Sequence, residues 1–441
     1  MSLKTNGGWT PRRVLALADD LSGAAETAAV LGLRSRIVLR TVDAGRNSSA
    51  ASADVTPWAS SDESAAVVLD LDSRQLGPGP AARAVAEALR WGMRPHGMRA
   101  EGVVLLKKVD SLLRGNLATE AEAYAAQAAG VVIAPALPAL GRTVQGGVVH
   151  LNGAPLHTTD AWRAEPRSAP HSVAAALDGL RTRVVPLAVV RAPLPELVAE
   201  LHSCLALGYH PVCDTEADDD LDAIAQATLQ LDSEVRLLGT GGLAAALGRQ
   251  LTESEARQPG EWQSPGAPRP LLVVVGTAEP TAAAQIAHLV EEGARHITLP
   301  AEADAFDAAD AFGATDVYGT AGASDITVLS LDNSAGVHPG SARRLVDALA
   351  RAAAALGHGA DLVLTGGETA RRVLDALGVA RLTPIGQIHH GAVHCLTPDG
   401  RSVVTRPGSF GGPDSLLRIA HALRPGAATR DDPNIPATRA N

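Results

Sequence analysis

The sequence of 441 residues contains few aromatic residues, few lysines and few cysteines. Its three cysteines, Cys204, Cys213 and Cys395, have no CxxC or zinc-ligand spacing, which argues against a disulfide scaffold and a cysteine-based metal site. No apolar run approaches the roughly 18 residues that span a membrane, and the N-terminus lacks the apolar segment of a signal peptide. We therefore expect a soluble, cytoplasmic protein.

Basic residues are outnumbered by acidic ones, 38 against 48, which gives a formal net charge of −10. This balance argues against nucleic acid or an anionic membrane as the main partner. Only Lys4, Lys107 and Lys108 are lysines, and a codon bias toward arginine explains that scarcity. Two of the three are adjacent, which indicates a place where a compact ammonium group is needed.

Short apolar runs alternate along the whole chain with longer segments of helical period. Strands are predicted at residues 14–18, 66–71, 103–107, 131–134, 184–190, 235–238, 271–275, 326–331 and 362–365. Helices are predicted at 22–31, 80–91, 117–129, 195–207, 221–231, 281–292, 341–356 and 368–377. The alternation predicts an α/β fold of two domains, each a mainly parallel sheet flanked by helices.

A segment rich in proline, glycine, glutamate and serine separates the two halves. We predict a linker at residues 251–270, which leaves domains at 12–250 and 271–424. Residues 425–441 are polar and interrupted by proline, and this composition predicts a disordered tail.

Charged residues follow two of the predicted strands in the first half. Asp19 and Asp20 follow the first strand, and Arg74 follows the second. Ligands of open α/β sheets bind beyond the carboxyl ends of the strands, so these side chains are expected to face one crevice. Arg74 could hold a carboxylate there through a bidentate pair. The structural alternatives are that one aspartate caps a helix and that Arg74 pairs with Asp72 at the surface.

The densest group of charged residues lies between a predicted strand and the helix that begins at residue 117. It consists of Lys107, Lys108, Asp110, Ser111, Arg114 and Gly115. Cations and a helix N-terminus both favour anions, and Asp110 could accept the proton of a hydroxyl group. A salt-bridged loop without further function is the alternative.

Prolines and glycines then interrupt regular structure between residues 135 and 147. The pattern predicts a shaped loop with Arg142 and Thr143 at its tip, followed by a hairpin at about 147–156 around Asn152-Gly153.

Three glycine-rich turns in the second half each lie between a strand and a helix. They contain Gly276 and Thr277; Gly366, Gly367, Glu368 and Thr369; and Gly408, Gly411 and Gly412. Backbone N–H groups at helix N-termini suit nucleotide phosphates, although a tight strand–helix connection needs glycine as well. No GxxxxGK[ST] motif is present, which excludes a P-loop, and the histidines show no metal-ligand spacing.

Taken in order, these segments resemble the four-carbon acid sugar kinase family. Residues 18–24 resemble its ADDLTGA motif, 108–116 its KxDSTLRGN motif and 135–142 its PAxPxxGR loop. In the second half, 366–369 match GGET and 407–411 resemble SGxFG. Two positions differ from the family pattern: Leu112 replaces a threonine, and Glu279 replaces a serine of the loop that contacts ATP.

The resemblance implies an acid-sugar-binding domain at 12–250 and a nucleotide-binding domain at 271–424. It implies ATP-dependent phosphorylation of the 4-hydroxyl of threonate, erythronate or a 3-oxo-tetronate, with Mg²⁺ bridging the nucleotide phosphates. The catalytic candidates are Asp19, Asp20 and Asp110. The substrate-binding candidates are Arg74, Lys107, Lys108, Ser111, Arg114, Gly115 and Arg142. The nucleotide-binding candidates are Thr277, Gly366, Gly367, Glu368, Thr369, Gly408 and Gly411.

Two other functions are weighed against this interpretation. A non-catalytic protein that binds or senses acid sugars is the alternative, and it is motivated by Leu112 and Glu279. A dehydrogenase is disfavoured, because no complete GxGxxG opens a strand–helix unit. Homo-oligomer formation is left open.

Overall fold

The computed structural model describes residues 13–40, 65–93, 102–163, 165–252, 269–277, 280–299, 325–332, 339–408 and 410–424. Most of the predicted linker (253–268), the predicted tail (425–441) and Glu279 lie outside these residues. The chain divides into one unit of Met1–Gln258 with Ala380–Pro384, and a second of Pro259–Val379 with Ile385–Asn441. In the described part of the chain, no helix has the length and apolar character needed to cross a bilayer.

The strands of the first unit form a parallel sheet and a small antiparallel one. They are β1 Arg13–Ala18, β2 Ser35–Leu39, β3 Ala66–Asp70, β4 Val103–Lys108, β5 Gly130–Ala134, β6 Arg142–Gln145, β7 Val148–Leu151, β8 Ala154–Pro155, β9 Thr182–Val185, β10 His210–Cys213 and β11 Val235–Gly239. The parallel sheet has the order β2-β3-β1-β4-β11-β5-β10-β9. Strands β6, β7 and β8 form the antiparallel sheet, which contains the predicted hairpin around Asn152.

Helices accompany this sheet. They are α1 Leu21–Val30, α2 Pro78–Gly92, α3 Leu117–Ala125, α4 Val173–Ala176, α5 Leu187–Val190, α6 Leu194–Ala206, α7 Asp218–Thr228 and α8 Gly241–Leu251. Strands β1, β3 and β5 are buried along nearly their whole length, as expected of central parallel strands covered on both faces. The core of the unit includes Leu15, Leu69, Tyr124 and Ile133.

Two sequence-based expectations for this unit are wrong. The strand predicted at 184–190 ends at Val185, because Pro186 interrupts it and precedes the short helix α5. Arg142 and Thr143 do not lie at a loop tip; they begin strand β6 and pair with β7. The turn between β6 and β7 is held by Asp214, whose carboxylate accepts the backbone N–H groups of Gly146 and Gly147 at 2.9 Å each.

The second unit contains another mainly parallel sheet. Its strands are β12 Leu271–Val275, β13 Arg295–Leu299, β14 Ile326–Leu331, β15 Asp361–Thr365, β16 Arg381–His389, β17 Ala392–Leu396 and β18 Ser402–Arg406. Its helices are α9 Pro280–Glu291, α10 Pro339–Leu356, α11 Gly367–Ala376 and α12 Ser415–Leu423. Strands β13-β14-β12-β15-β18 are parallel in that order, and β17 runs antiparallel to β18. The predicted fold class is therefore confirmed in both units.

The beginning of β16 belongs to the first unit, although it comes after residue 271, where the second domain was predicted to begin. Arg381 and Leu382 pair antiparallel with Val38 and Ile37 of β2, so Ala380–Pro384 belongs to the first unit. Pairing with β2 provides the backbone hydrogen-bond partners that an edge strand otherwise lacks. The domain bounds predicted from the sequence, 12–250 and 271–424, stay predictions.

Candidate functional site

The site in the first unit lies at the carboxyl ends of β1, β3 and β4, which are neighbours in the sheet. Asp19 and Asp20 directly follow β1, Arg74 follows β3, and Lys108 ends β4. The backbone carbonyl of Asp19 accepts the N–H groups of Ser73 and Arg74, at 2.9 and 3.2 Å. The topology thus brings the strand-end residues predicted from the sequence to one edge.

Arg74 holds the two adjacent aspartates together. Its Nε and Nη2 donate to the two carboxylate oxygens of Asp19, at 2.8 and 3.2 Å, and its Nη1 donates to Oδ2 of Asp20 at 2.7 Å. Its Nη2 also lies 4.0 Å from Oδ1 of Asp110, so the carboxylate partners of Arg74 are the three candidate aspartates rather than Asp72. Asn116 fixes the Arg74 loop, since its Nδ2 donates to the carbonyls of Ser73 and Leu76 at 3.0 and 2.8 Å.

Asp110 is held by a second arginine. Arg114 donates from Nε and Nη2 to its two oxygens, at 2.7 and 2.9 Å, and the backbone N–H groups of Leu112 and Arg114 also donate to Oδ2. Burial acts to raise the pKa of Asp110, but the hydrogen bonds from Arg114 and the nearby Arg74 outweigh it and hold that pKa well below its usual range. A carboxylate held in this way is a weak proton acceptor and a strong organiser of its loop.

Lys107 and Lys108 point to opposite faces of the sheet, as successive strand residues do. Nζ of Lys108 lies 3.3 Å from Oε2 of Glu26. Nζ of Lys107 lies 2.8 Å from Oε2 of Glu120, and both side chains are almost completely buried, at 1% and 3% exposure. Ser73 completes this pair by donating to Oε1 of Glu120 at 2.6 Å. Lys107 therefore has no accessible surface for a ligand, which corrects the expectation that it binds substrate directly.

The three candidate catalytic aspartates differ in their electrostatics. Burial raises the pKa of Asp20 above its ordinary value in spite of Arg74, and repulsion by Asp19 adds to the rise. Burial also acts on Asp19, but Arg74 and Lys107 outweigh it and lower its pKa. Asp20 has the most exposed side chain of the three, at 17% against 6% and 9%. It also caps helix α1, because Oδ1 accepts the N–H of Gly23 at 2.8 Å.

Glycine is required where the loop after β4 passes this cluster. Gly115 has φ +87°, and a Cβ there would lie 3.4 Å from Cγ of Arg74 and 3.6 Å from Oδ2 of Asp19. Leu112, in contrast, has its side chain in the core of the unit. Its backbone carbonyl accepts the indole N–H of Trp162 at 2.8 Å. The replacement of threonine by Leu112 therefore changes packing behind the loop.

Arg142 enters the same cluster from strand β6. Its Nη1 donates to Oγ of Ser111, and its Nε is buried without a hydrogen-bond partner. Burial lowers the pKa of Arg142, while Asp110 acts in the opposite direction.

The second unit brings the three glycine-rich turns together at the carboxyl ends of β12, β15 and β18. A Cβ on Gly276 would overlap the hydroxyl of Thr369, and one on Gly408 would lie 2.6 Å from Oγ1 of Thr277. Helix α11 begins after Gly366, which has φ +94° and leaves the helix N-terminus without a side-chain cap. Gly367, Glu368 and Thr369 form its first turn. This arrangement brings the described parts of the three turns close together beside the first turn of α11.

Arg406, at the end of β18, is a functional candidate that the sequence reasoning missed. Its guanidinium is completely buried and donates to the carbonyl of Phe410, to Oε1 of Gln285 and, at 3.2 Å, to Oγ of Ser415. No carboxylate pairs with it among the residues that the structure describes. Burial lowers the pKa of Arg406 to about 10. A basic residue between a strand and a glycine-rich turn is the signal that could have identified it.

The sequence reasoning also missed Glu26 and Glu120. Glu26 of α1 pairs with Lys108 and Glu120 of α3 pairs with Lys107, and no local pattern connects these helices with strand β4. The segment Thr240-Gly241-Gly242 was overlooked as well, although it follows a strand and opens α8. A Cβ on Gly241 would lie 2.5 Å from Oε1 of Glu26. Over the described ranges, no group of three or more histidine, cysteine, aspartate or glutamate side chains is placed to hold a metal ion.

Comparisons with known proteins match each half of the chain to a family model. Residues 14–247 match a family model described as a sugar-binding N-terminal domain, and residues 272–416 match a nucleotide-binding C-terminal domain. A D-threonate kinase of Cupriavidus necator is 35% identical over 426 residues, which cover 93% of this chain and 97% of that protein. A 3-oxo-tetronate kinase of the same organism is 28% identical over 90% of this chain and 94% of its own length. A solved structure from Salmonella typhimurium LT2 has a TM-score of 0.74 at 21% identity, covers 93% of this chain and 99% of its own, and supports the fold.

Proposed function

The chain belongs to the four-carbon acid sugar kinase family, and from that premise we propose that it phosphorylates the 4-hydroxyl of a four-carbon acid sugar with ATP as the donor. D-threonate is the substrate we favour, because the D-threonate kinase of Cupriavidus necator is 35% identical and the 3-oxo-tetronate kinase of that organism is 28% identical. Such an enzyme would work in the cytoplasm, where ATP is available.

The proposal depends most on the cluster at the carboxyl edge of the first sheet, where the three candidate acids, all aspartates, lie with two glutamates among five basic side chains. In the reaction, the 4-hydroxyl oxygen forms a bond to the γ-phosphorus, and the bond from that phosphorus to the β–γ bridging oxygen breaks. The hydroxyl proton needs an acceptor, and Asp20 is suited to that role because its pKa is raised and it is the most exposed of the three acids. Arg74 orients Asp20 and would stabilise charge that develops near it.

Asp19 and Asp110 have organising roles in this proposal. Asp19 fixes Arg74 through two hydrogen bonds, and Asp110 fixes Arg114 in the same way. Lys108 neutralises the acids from the neighbouring strand, since burial acts to lower its pKa but Glu26, Asp19 and Asp20 raise it. A pre-formed, charge-balanced arrangement avoids reorganisation when substrate binds.

We assign nucleotide binding to the second unit. The turns that contain Thr277, Gly366–Thr369, Gly408 and Gly411 supply backbone donors and the close approach that phosphates require. Mg²⁺ usually reaches kinase sites on the nucleotide phosphates with one or two protein carboxylates. The described residues supply no cage of their own for the ion, so we derive no step through it.

A non-catalytic acid-sugar sensor is the competing function. Two sequence positions, Leu112 and Glu279, suggested it. Leu112 supports it less than the sequence indicated, because its side chain lies in the core and the hydroxyl of a threonine at this position would lie there as well. The second position, Glu279, lies outside the described residues.

A coupled assay of ADP release tests the proposal. The purified protein is given MgATP with D-threonate, L-threonate, D-erythronate, L-erythronate or 3-oxo-tetronate, and the phosphorylated carbon is identified by ³¹P NMR. We expect turnover with D-threonate and a 4-phosphate product. The variant D20N should lose turnover by at least about 100-fold, the lower limit for removing a general base, and circular dichroism checks that it stays folded. Binding of D-threonate without ADP release from any of the five acids would favour the sensor and contradict the proposal.

A further inference from the structure

We propose that Arg142, assisted by Ser111, binds the carboxylate of the acid sugar and thereby makes the enzyme select acids over neutral polyols. This inference rests on the proposed function and specifies which cation of the site meets the substrate's negative charge. The other cations of the cluster are Arg74, Arg114, Lys107 and Lys108.

Each of those cations already has a carboxylate partner. Arg74 is bonded to Asp19 and Asp20, Arg114 is bonded to Asp110, and the two lysines of β4 are paired with glutamates. A substrate carboxylate that displaced one of these partners would leave a buried aspartate or glutamate without its cation. Such a loss is strongly destabilising, so these groups are poor sites for a second anion.

Arg142 is the exception among the described residues of the cluster. No aspartate or glutamate is bonded to its guanidinium, which donates from Nη1 to the neutral hydroxyl of Ser111. Its Nε is buried and has no hydrogen-bond partner in the described part of the chain. A buried N–H group that lacks an acceptor is destabilising, and more so when the group is charged, so an incoming acceptor removes this cost.

A carboxylate supplies the negative charge and the hydrogen-bond acceptors that the guanidinium of Arg142 lacks among the described residues. A guanidinium presents N–H donors in a planar fork that fits the two oxygens of a carboxylate. The hydroxyl of Ser111 accepts from Arg142, and its own proton, which has no acceptor among the described residues, can donate to the same anion. Burial lowers the pKa of Arg142 although Asp110 acts in the opposite direction, in agreement with a guanidinium that has no carboxylate bonded to it in the described part of the chain.

The position of Arg142 is also fixed well enough for recognition. Strand β6 carries it, and the pairing of Arg142 with Leu151 of β7 and the bridge between Leu137 and Arg142 hold its backbone. Gly141 must remain glycine there, because it has φ +65° and a Cβ would overlap the amide oxygen of Asn152. The small antiparallel sheet thus serves as the support of one binding residue.

The test compares an acid with its neutral analogue. R142Q and R142K are assayed with D-threonate and with threitol, in which a hydroxymethyl group replaces the carboxylate. We expect R142Q to raise KM for D-threonate by about 100-fold, the effect of removing one partner of a desolvated charge pair. The same variant should change kcat/KM for threitol and KM for ATP by less than about 3-fold. R142K should lie between R142Q and the wild type, because an ammonium keeps the charge and loses the fork.

A matched control and a binding measurement complete the experiment. R249Q removes an exposed arginine paired with Asp222 in the same unit and should leave both substrates unaffected. An R142Q enzyme with unchanged KM for D-threonate, or with equal losses for acid and polyol, would overturn the assignment while the kinase function stands. If no phosphoryl transfer is found, calorimetric titration with D-threonate decides the matter separately. Binding that depends on Arg142 supports the assignment, and binding that is equal in R142Q, or absent from the wild type, contradicts it.

Discussion

Replacing Glu120 by glutamine isolates the electrostatic contribution of the buried pair with Lys107. Glutamine has nearly the same volume and can still accept the hydrogen bond from Ser73, so the change removes the negative charge and little else. The ammonium of Lys107 then stays 1% exposed without an anion. Removing one partner of a buried ion pair destabilises a protein by about 3–5 kcal/mol.

This magnitude predicts a measurable shift in urea unfolding. For an m-value of about 3 kcal/mol per molar urea, a loss of 3–5 kcal/mol lowers the unfolding midpoint by about 1–1.7 M. Tryptophan fluorescence reports mainly on the first unit, because four of the five tryptophans belong to Met1–Gln258. Far-ultraviolet circular dichroism follows both units and shows whether they unfold separately.

The control removes an exposed pair of the same kind. R249Q breaks the contact with Asp222, whose side chains are 47% and 29% exposed, and exposed pairs contribute about 0.2–1 kcal/mol. Its midpoint should fall by about 0.3 M or less. The double variant K107M/E120L removes both charges and should recover most of the stability lost in E120Q. An E120Q midpoint that falls no further than that of R249Q would refute the buried-pair reasoning.

The second unit offers three further tests. Burial lowers the pKa of His394 from 6.5 to about 4. The unfolded chain therefore binds more protons between these pH values, and stability should fall by roughly 1–2 kcal/mol from pH 6.5 to pH 5. H394N should flatten this dependence in urea titrations. R406M should raise KM for ATP by about 10-fold and leave KM for D-threonate unchanged, because Arg406 positions the glycine-rich loop through the Phe410 carbonyl. R406K should lie closer to the wild type. Equal effects of R406M on both substrates would contradict this role. G276A should weaken ATP binding by at least about 10-fold in calorimetry, whereas G386A, where a Cβ meets nothing within 4 Å, should not.

The fold was predictable where burial on both faces leaves a continuous apolar run. Strands β1, β3, β12 and β15 are of this kind, and the sequence locates each of them within about one residue. Strands β2, β10 and β13 were not predicted. β2 alternates between buried and half-buried residues, β10 contains a proline, and β13 is mostly exposed. Short or partly exposed strands resemble loops in a single sequence.

The sequence predicted that the site residues meet at one edge of the sheet, but it did not predict which of them form ion pairs. Polar residues that follow buried strands must meet at the carboxyl edge of a parallel sheet, which is why Asp19, Asp20 and Arg74 could be grouped. The choice of partners depends on side-chain directions across 54 or 55 residues of separation. No local pattern contains that information. Arg142 was placed at a loop tip for the same reason, because the pairing of β6 with β7 is a tertiary contact.

The two adjacent lysines show how a compositional signal acquires a physical meaning. In a chain that uses arginine almost everywhere, both were expected to contact substrate. The structure instead places Lys107 in a closed space, where Nζ lies 2.8 Å from Glu120 and donates to its neighbour's carbonyl at 3.0 Å. An ammonium with three donors is satisfied there, whereas a guanidinium carries five N–H groups in a rigid plane. Lysine is therefore retained at this position by the geometry of a buried pair that supports the site from behind.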